Sequence, residues 1–227
     1  MTHQINNQFL GGIIMVDIAT LTEIMNYGYA AKNELKHLAR NNGTPVMITW
    51  HWSAGWYDQP HHDYHINILG GEDGDSEDGN VYIAESDFAV KLPHTWMKNT
   101  ANIGVSLCCC ADANTNYGGS APPTSNQIEA MSQITAVLSE ALNLPIDVEH
   151  IATHGERADN EDWDFYYPEY TGYENNIYGP KSTVERWDLD ILFTAQSPEF
   201  DPWDEEHRGG TVLRNKTKWY RQQWYGH

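Results

Sequence analysis

The chain is poor in cysteine, and the few cysteines that it has stand together. Cys108, Cys109 and Cys110 are consecutive among the 227 residues. Neighbouring residues of an extended strand point to opposite faces, so these thiols are poorly placed to bridge one another, and a disulfide framework is excluded. The chain is therefore compatible with a reducing cytoplasm. The apolar run before the triplet favours buried cysteines, and Cys109 as a metal ligand is the alternative.

Long apolar runs are also missing. The chain has no stretch of about 18 apolar residues, the length that a membrane-spanning helix needs, so no membrane span is expected. The N-terminal residues lack a charged segment followed by uninterrupted apolar residues and a small-residue cleavage site. This predicts synthesis in the cytoplasm without a signal peptide. A substrate outside the cytoplasm would then have to be reached by another delivery route.

Basic residues are scarce. The chain has 13 lysines and arginines against 32 aspartates and glutamates, which gives a formal net charge of -19. A surface of this charge repels nucleic acid and anionic membranes, so neither is expected as a partner. Hydrophobic residues make up 40% of the chain, which has nine tryptophans. This composition predicts a folded globule, organised as one domain or as one domain with appendages.

The spacing of apolar residues predicts both helices and strands. Together they indicate an α/β fold with a single mixed, twisted β-sheet flanked by helices. Helices are predicted over about 18–38 and over a segment that Thr124 or Ser125 caps. Strands are predicted over 46–50, 64–69, 81–84, 102–109 and 148–152. An aromatic and acidic loop is predicted over 159–180.

Two segments have an unusual charge. The glycine-rich turn at 70–80 is acidic and lacks full EF-hand spacing, which favours a solvated loop, with a calcium site as the alternative. From His207 onward the chain has five basic residues and no acidic ones. The aromatic residues among them are Trp219, Tyr220, Trp224 and Tyr225. This pattern favours a helix whose aromatic side chains pack on the domain, and a partner-binding tail is the alternative.

Two histidines and an aspartate stand where a rigid scaffold would hold metal ligands. His51 follows an apolar strand, His154 follows a short strand, and Asp188 lies between Trp187 and Leu189. A buried carboxylate in such apolar company needs a partner, and a metal ion is one. Two imidazoles and a carboxylate leave the fourth position of a tetrahedral zinc ion open for water. The sequence therefore predicts a metal-dependent hydrolase.

A rival group of histidines lies between the first two candidates. It consists of His61, His62 and His65, with Asp63 among them. His65 would point away from Tyr64 in a strand, and histidines in a loop beside a proline are often only solvated. The first set is therefore preferred.

Four motifs occur in order between about residues 46 and 191. They are His-Trp-Ser-Ala-Gly at 51–55; Asp-Tyr-His-Ile at 63–66 with Gly-Asn-Val-Tyr at 79–82; His-Thr-Trp at 94–96 with Asn-Thr at 99–100 and Ile-Gly-Val-Ser-Leu at 103–107; and Thr-His-Gly-Glu at 153–156 with Arg-Trp-Asp at 186–188. Together they resemble the motifs of zinc-dependent N-acetylmuramoyl-L-alanine amidases of the phage lysozyme and peptidoglycan-recognition-protein superfamily. The resemblance is greatest to the phage and prophage branch.

The resemblance implies a zinc ion held by His51, His154 and Asp188. It implies hydrolysis of the peptidoglycan amide bond between N-acetylmuramic acid and L-alanine, as in an endolysin or prophage cell-wall hydrolase. The amidase core would cover 46–194, with an N-terminal helical extension at 1–45 packed on it and an aromatic, basic segment at 195–227. A non-catalytic muropeptide-binding module and an amidase for another amide stay open as alternatives. Loss of a ligand would favour the binder, and all three ligands are present.

The resemblance also implies roles for the residues around the zinc. Tyr64 would orient the attacking water or share its proton. Glu156 would act as a base or support the ligands. The substrate groove would be lined by His94, with Asn99 and Thr100.

One position departs from the family pattern. The family often has a lysine two residues before the third ligand, where this chain has Arg186. Arginine can stabilise the oxyanion of a tetrahedral intermediate through charge and hydrogen bonds. It cannot readily give up a proton, so a general-acid role at this position is not expected.

Overall fold

A computed structural model describes residues 19–95, 98–114, 116–158, 188–201 and 204–227. The helices are α1 (Leu21–Asn42), α2 (Ser125–Leu142), α3 (His154–Ala158) and α4 (Gly209–Tyr225). The strands are β1 (Met47–Trp52), β2 (Ile66–Ile68), β3 (Val81–Ile83), β4 (Asn102–Leu107) and β5 (Ile151–Thr153). The predicted loop at 159–180 lies outside the described residues.

The strands of the described residues form one mixed sheet in the order β3-β2-β4-β1-β5. β1 lies in the middle and pairs in parallel with β4 on one side and β5 on the other. β2 is parallel to β4, and β3 is antiparallel to β2. This confirms the predicted α/β class with a single sheet flanked by helices.

The bounds of all five strands differ from those predicted, most at β1, β2 and β5. β1 continues to Trp52 because β4 pairs with it over its whole length, so His51 lies inside the strand rather than after it. β2 is limited to Ile66–Ile68, against a prediction of 64–69. β5 begins only at Ile151, because Asp147 closes a turn with the backbone amides of His150 and Ile151. Strand length depends on hydrogen-bonding partners distant in sequence, which a local pattern does not encode.

Paired side-chain caps fix the starts of the two long helices. At α1, Thr20 accepts from the backbone N–H of Glu23, whose side chain accepts from the backbone N–H of Thr20. At α2, Thr124 and Gln127 form the same reciprocal pair, which confirms a cap at Thr124. Such boxes satisfy amide donors that would otherwise lack a partner. α1 ends at Gly43, whose φ of 70° suits glycine.

Alternation along the central strands gives the sheet an apolar face and a polar face. Trp50 of β1 donates from its indole nitrogen to Thr135 of α2 at 2.8 Å, so this face meets the helices. Thr49 lies on the opposite face, where its hydroxyl donates to the side chain of Asn102 in β4 at 3.0 Å. His51 shares that face because side chains two residues apart in a strand point the same way. All these side chains are buried, so both faces are covered.

The helices pack together on the apolar face, with α2 between α1 and α4. Tyr220 of α4 donates its hydroxyl proton to Glu129 of α2 at 2.7 Å, and Arg221 forms an ion pair with Glu140 at 3.1 Å. Two aromatic residues of α4, Trp219 and Trp224, stay exposed. The C-terminal segment is thus a helix that packs on the domain, as predicted, but Trp219 and Trp224 do not pack there as expected.

A candidate metal centre

Three side chains from distant parts of the chain meet beside the sheet. His51 comes from β1, His154 is the first residue of α3 directly after β5, and Asp188 follows in a turn. One possible ligand atom from each lies within 4.8 Å of the other two. β1 and β5 are parallel neighbours, with Trp50 opposite Thr153, so they deliver the two histidines at the same end. Within the described ranges, no other set of three such residues meets in this way.

The contacts behind His51 bear on which of its nitrogens carries the proton. Nε2 of His94 lies 3.2 Å from the carbonyl oxygen of Asn102, which can only accept. Burial lowers the pKa of His94 well below its ordinary value, so the ring is neutral and its Nδ1 is an acceptor. Nε2 of His51 and the hydroxyl of Thr95 lie 3.1 and 2.9 Å from that Nδ1, so either can donate to it. When Nε2 of His51 is the donor, the lone pair on its Nδ1 faces Asp188.

With that tautomer, Nδ1 of His51 and the Asp188 carboxylate are two acceptors 3.1 Å apart, whereas the other tautomer makes the same contact a hydrogen bond. Nδ1 of His154 lies 3.0 Å from the other carboxylate oxygen, Oδ1. That contact lacks hydrogen-bond geometry, and among the described residues the buried Oδ1 has no hydrogen-bond donor. A cation between these atoms would satisfy both contacts and the unpartnered Oδ1. Two ligands of a tetrahedral zinc ion lie about 3.3 Å apart, close to both separations.

The protonation states of the buried ligands also suit a metal. Burial lowers the pKa of His51 to about 4, although the hydrogen bond to Asp188 opposes this shift. Burial would raise the pKa of Asp188, but His154 and His51 outweigh it and hold that pKa below its ordinary value. At neutral pH the site therefore presents a neutral imidazole and an ionised carboxylate. Metal binding needs these forms.

The structure brings Tyr64 to the ring of His51, as predicted. The two ring centroids are 4.8 Å apart, and Tyr64 lies in the bend just before β2. Burial, followed by the charges of Asp188 and Asp63, raises the pKa of Tyr64, although a hydrogen bond with Ser106 lowers it. The phenol is thus well placed next to the candidate ligands. Its part in a reaction stays a prediction.

His94 lies directly behind His51 and is only 6% exposed. Its ring packs on the backbone of Gly104, where a Cβ atom would come within 2.9 Å of it. Asn99 accepts from the backbone N–H of Thr95 at 2.6 Å, and Thr100 is half-buried in the turn before β4. The position of His94 favours a role in orienting His51. The substrate-binding roles of His94, Asn99 and Thr100 stay predictions.

Glu156 lies two residues after His154, and an arginine holds its carboxylate. The guanidinium of Arg214 in α4 donates to both oxygens, at 2.6 and 2.7 Å. Oε2 also accepts from the backbone N–H of Thr153 at 2.9 Å. Burial would raise the pKa of Glu156, but the bonds to Arg214 lower it below the ordinary value. A carboxylate paired in this way is a poor base, so the geometry favours the supporting role among the two predicted.

The rival histidines do not assemble into a second centre in the described residues. His65 is fully buried, accepts from the backbone N–H of Gly104 at 3.1 Å and lies 2.9 Å from the carbonyl oxygen of Val90. Its two nitrogens are therefore engaged with the backbone. His61 and His62 are exposed. Arg186, the predicted oxyanion residue, lies outside the described residues.

The cysteine triplet and the acidic turn were the two other candidate cation sites, and their side chains have other environments. The three consecutive cysteines are fully buried, and burial raises the pKa of Cys109 well above its ordinary value, so its thiol is protonated. In the acidic turn, the Asp78 carboxylate accepts from the hydroxyl of Thr124 at 2.6 Å and from the amide of Asn126 at 3.0 Å. Asp78 thus ties the turn to the start of α2.

Three residues near the site were missed from the sequence: Arg208, Arg214 and Asp190. The sequence did contain a local signal for the role of Glu156, because Thr-His-Gly-Glu at 153–156 has the spacing of a helix capping box. That spacing would have assigned Glu156 to the start of a helix. The two arginines lie in the basic C-terminal segment, and no local pattern links them to residues so far away.

No family model, curated protein or solved structure matches the chain. Among the described helices, none combines the length and the apolar character that crossing a bilayer requires. The site must therefore be interpreted from its own geometry and from the motifs that surround it.

Proposed function

We propose that the chain is a zinc-dependent amidase that cleaves the bond between N-acetylmuramic acid and L-alanine in peptidoglycan. The observation that carries the proposal is the meeting of His51, His154 and Asp188. These are the residues that occupy the ligand positions of the amidase-like motifs. The unsatisfied carboxylate oxygen and the facing acceptors described above support a cation at this place.

Zinc bound there would polarise a substrate carbonyl and make a water molecule acidic enough to attack near neutral pH. His94 keeps His51 in the tautomer that presents Nδ1 to the metal. The ring of Tyr64 lies beside that of His51, and its hydroxyl would orient the attacking water through a hydrogen bond. Arg186 would stabilise the oxyanion that forms on the carbonyl. The proton that the attacking water gives up would pass to the amine of L-alanine as the C–N bond breaks.

The first test is metal content, with His154→Ala as the matched variant. The purified chain should bind about one zinc ion, and the variant should lose both zinc and activity. His62→Ala is the control, because His62 is exposed and lies outside the cluster. Equal zinc content in wild type and His154→Ala would contradict the ligand assignment.

The second test is the bond that is cut. Peptidoglycan digested by the chain should gain free L-alanine amino groups without new reducing sugar ends, as read by mass spectrometry. New reducing ends as the main product would make the protein a glycosidase, which needs a pair of carboxylic acids. Binding of muropeptides without cleavage by the zinc-loaded chain would favour the non-catalytic module. Cleavage of other amides but not of this bond would indicate an amidase with a different substrate.

A further inference from the structure

We infer that Arg208 and Arg214 are positioning residues of the metal centre. Each holds a buried carboxylate that lies two residues after a metal ligand: Glu156 follows His154, and Asp190 follows Asp188. Arg214 lies in α4, and Arg208 is the residue just before it. The inference rests on the metal centre proposed above but not on the identity of the substrate.

The pair of Arg214 and Glu156 holds the start of α3. Both side chains are buried, with 10% and 4% of their surface exposed. Glu156 also completes a capping box with Thr153, because the backbone N–H of Glu156 donates to the Thr153 hydroxyl at 3.0 Å. His154 lies inside this closed turn, so Glu156 fixes the backbone from which the His154 side chain extends. The bond from Arg214 to the carbonyl oxygen of Ile151 ties the same arginine to β5.

The pair of Arg208 and Asp190 holds the other segment. Nε and Nη2 of Arg208 donate to the two oxygens of Asp190, each at 3.1 Å. Asp190 also accepts from the hydroxyl of Thr153 at 3.2 Å, and its carbonyl oxygen accepts from the N–H of Gly209 at 2.9 Å. The segment that carries Asp188 is therefore fastened both to α4 and to the residue before His154. Thr153 joins the two networks.

Three glycines allow these groups to approach one another. A Cβ atom at Gly210 would overlap the Glu156 carboxylate, and one at Gly155 would overlap the carboxylate of Asp190. At Gly209 a Cβ atom would overlap the carbonyl oxygen of Leu189, the residue between Asp188 and Asp190. The first turn of α4 is thus in direct contact with both ligand-bearing segments.

Loss of either arginine leaves a buried carboxylate without its guanidinium partner. Such a group regains solvent by moving, and the attached ligand moves with it, because only one residue separates them. Partners that orient metal ligands are typically worth about 10-fold to 100-fold in metal affinity. We therefore expect Arg214→Ala and Arg208→Ala to weaken zinc binding by about that factor.

The experiment compares these variants with Arg221→Ala in the full chain. Arg221 lies on the same helix and forms an ion pair with Glu140 of α2, away from the ligand segments. Zinc dissociation constants are measured by chelator competition, and the ligand geometry is followed by the absorption spectrum of the cobalt-substituted protein. We expect weaker binding and a changed cobalt spectrum for the two site variants. Arg221→Ala should match wild type in both, even if its melting temperature falls.

Arg214→Lys and Glu156→Gln serve as milder variants in case Arg214→Ala does not fold. Lysine keeps the charge of Arg214 but cannot form its bidentate pair with Glu156. Glutamine at position 156 keeps an acceptor for the N–H of Thr153. Both should bind zinc more weakly than wild type and more tightly than Arg214→Ala, where that variant can be measured.

Unchanged zinc affinity and cobalt spectra in all site variants would overturn the inference and leave the proposed function intact. Equal losses in Arg221→Ala would also overturn it, because the effect would then be one of general stability. A wild-type chain that binds no zinc would remove the metal centre and both proposals with it. Zinc binding without cleavage of peptidoglycan would contradict the proposed function alone.

Discussion

At the scale of single residues, the proposed metal site depends on which ring nitrogen of His51 carries the proton. The carbonyl oxygen of Asn102 receives a hydrogen bond from His94, whose Nδ1 can in turn accept one from His51. When it does, His51 offers a lone pair toward Asp188. A metal ligand needs such a lone pair, and a second hydrogen-bonded partner commonly supplies the required orientation.

Replacing His94 with alanine should weaken zinc binding about 10-fold, because Nε2 of His51 would lose its acceptor. His94→Gln should bind zinc more tightly than His94→Ala, since its amide oxygen can accept the same hydrogen bond. Chelator competition measures both constants, with circular dichroism to check folding. If His94→Ala bound zinc as tightly as wild type, the proposed orientation of His51 would be wrong.

Tyr64→Phe removes only a hydroxyl group, so folding and zinc content should be unchanged. Turnover should fall by about 10-fold to 1,000-fold, within the range of acid–base and water-orienting contributions. The measurement is kcat on purified muropeptide, with zinc determined in the same sample. Full turnover with zinc bound would show that the hydroxyl takes no part in the reaction.

At the scale of elements, close contact matters more than helix propensity at the start of α4. Alanine normally stabilises a helix relative to glycine, by about 0.5–1 kcal/mol. Gly210 lies against Glu156, which Arg214 holds in place, so the added methyl group has no room. Position 210 therefore needs glycine because Glu156 leaves no room for a side chain, and not because of the backbone conformation there.

We expect Gly210→Ala to lower the free energy of unfolding by about 1–3 kcal/mol, the usual effect of overpacking. Asn215→Ala is the control, because Asn215 is an exposed residue of the same helix. That variant should be neutral or slightly stabilising. Urea unfolding of both chains gives the comparison, and a stabilised Gly210→Ala would contradict the close contact.

The elements were predictable where their signals are local. Thr20 with Glu23, and Thr124 with Gln127, start the two long helices through contacts three residues apart, and the sequence displays both pairs. Strand ends were predicted less well, since the ends of β1 depend on its pairing with β4. Residue types and motif order identified His51, His154 and Asp188. The pair of Arg214 and Glu156 spans 58 residues, and only the folded chain brings the two together.

At the scale of the whole molecule, the buried histidines make stability depend on pH. Burial lowers the pKa of His51 from 6.5 to about 4, and it also lowers those of His65 and His94. Unfolded histidines bind protons near pH 6.5, whereas the folded ones do not. The stabilisation is therefore complete above about pH 6.5 and is lost as the pH falls toward 4.

The metal-free chain should accordingly lose stability steadily between pH 6.5 and about 4. His51 alone would account for about 3 kcal/mol over its shift of roughly 2.5 units. Urea unfolding at a series of pH values, in the presence of a chelator, measures the slope. A flat profile through this window would show that the folded histidines take up protons as readily as unfolded ones.

Because α4 contacts both ligand-bearing segments, the site is completed only after α4 has been synthesised. A ribosome makes the chain from its N-terminus, so His51, His154 and Asp188 all emerge before Arg214. Until α4 has left the exit tunnel, Arg214 cannot pair with Glu156 and Arg208 cannot pair with Asp190. The nascent chain therefore carries every ligand but cannot hold them in place. For the metal centre proposed above, zinc capture is expected to follow the emergence of α4 from the exit tunnel.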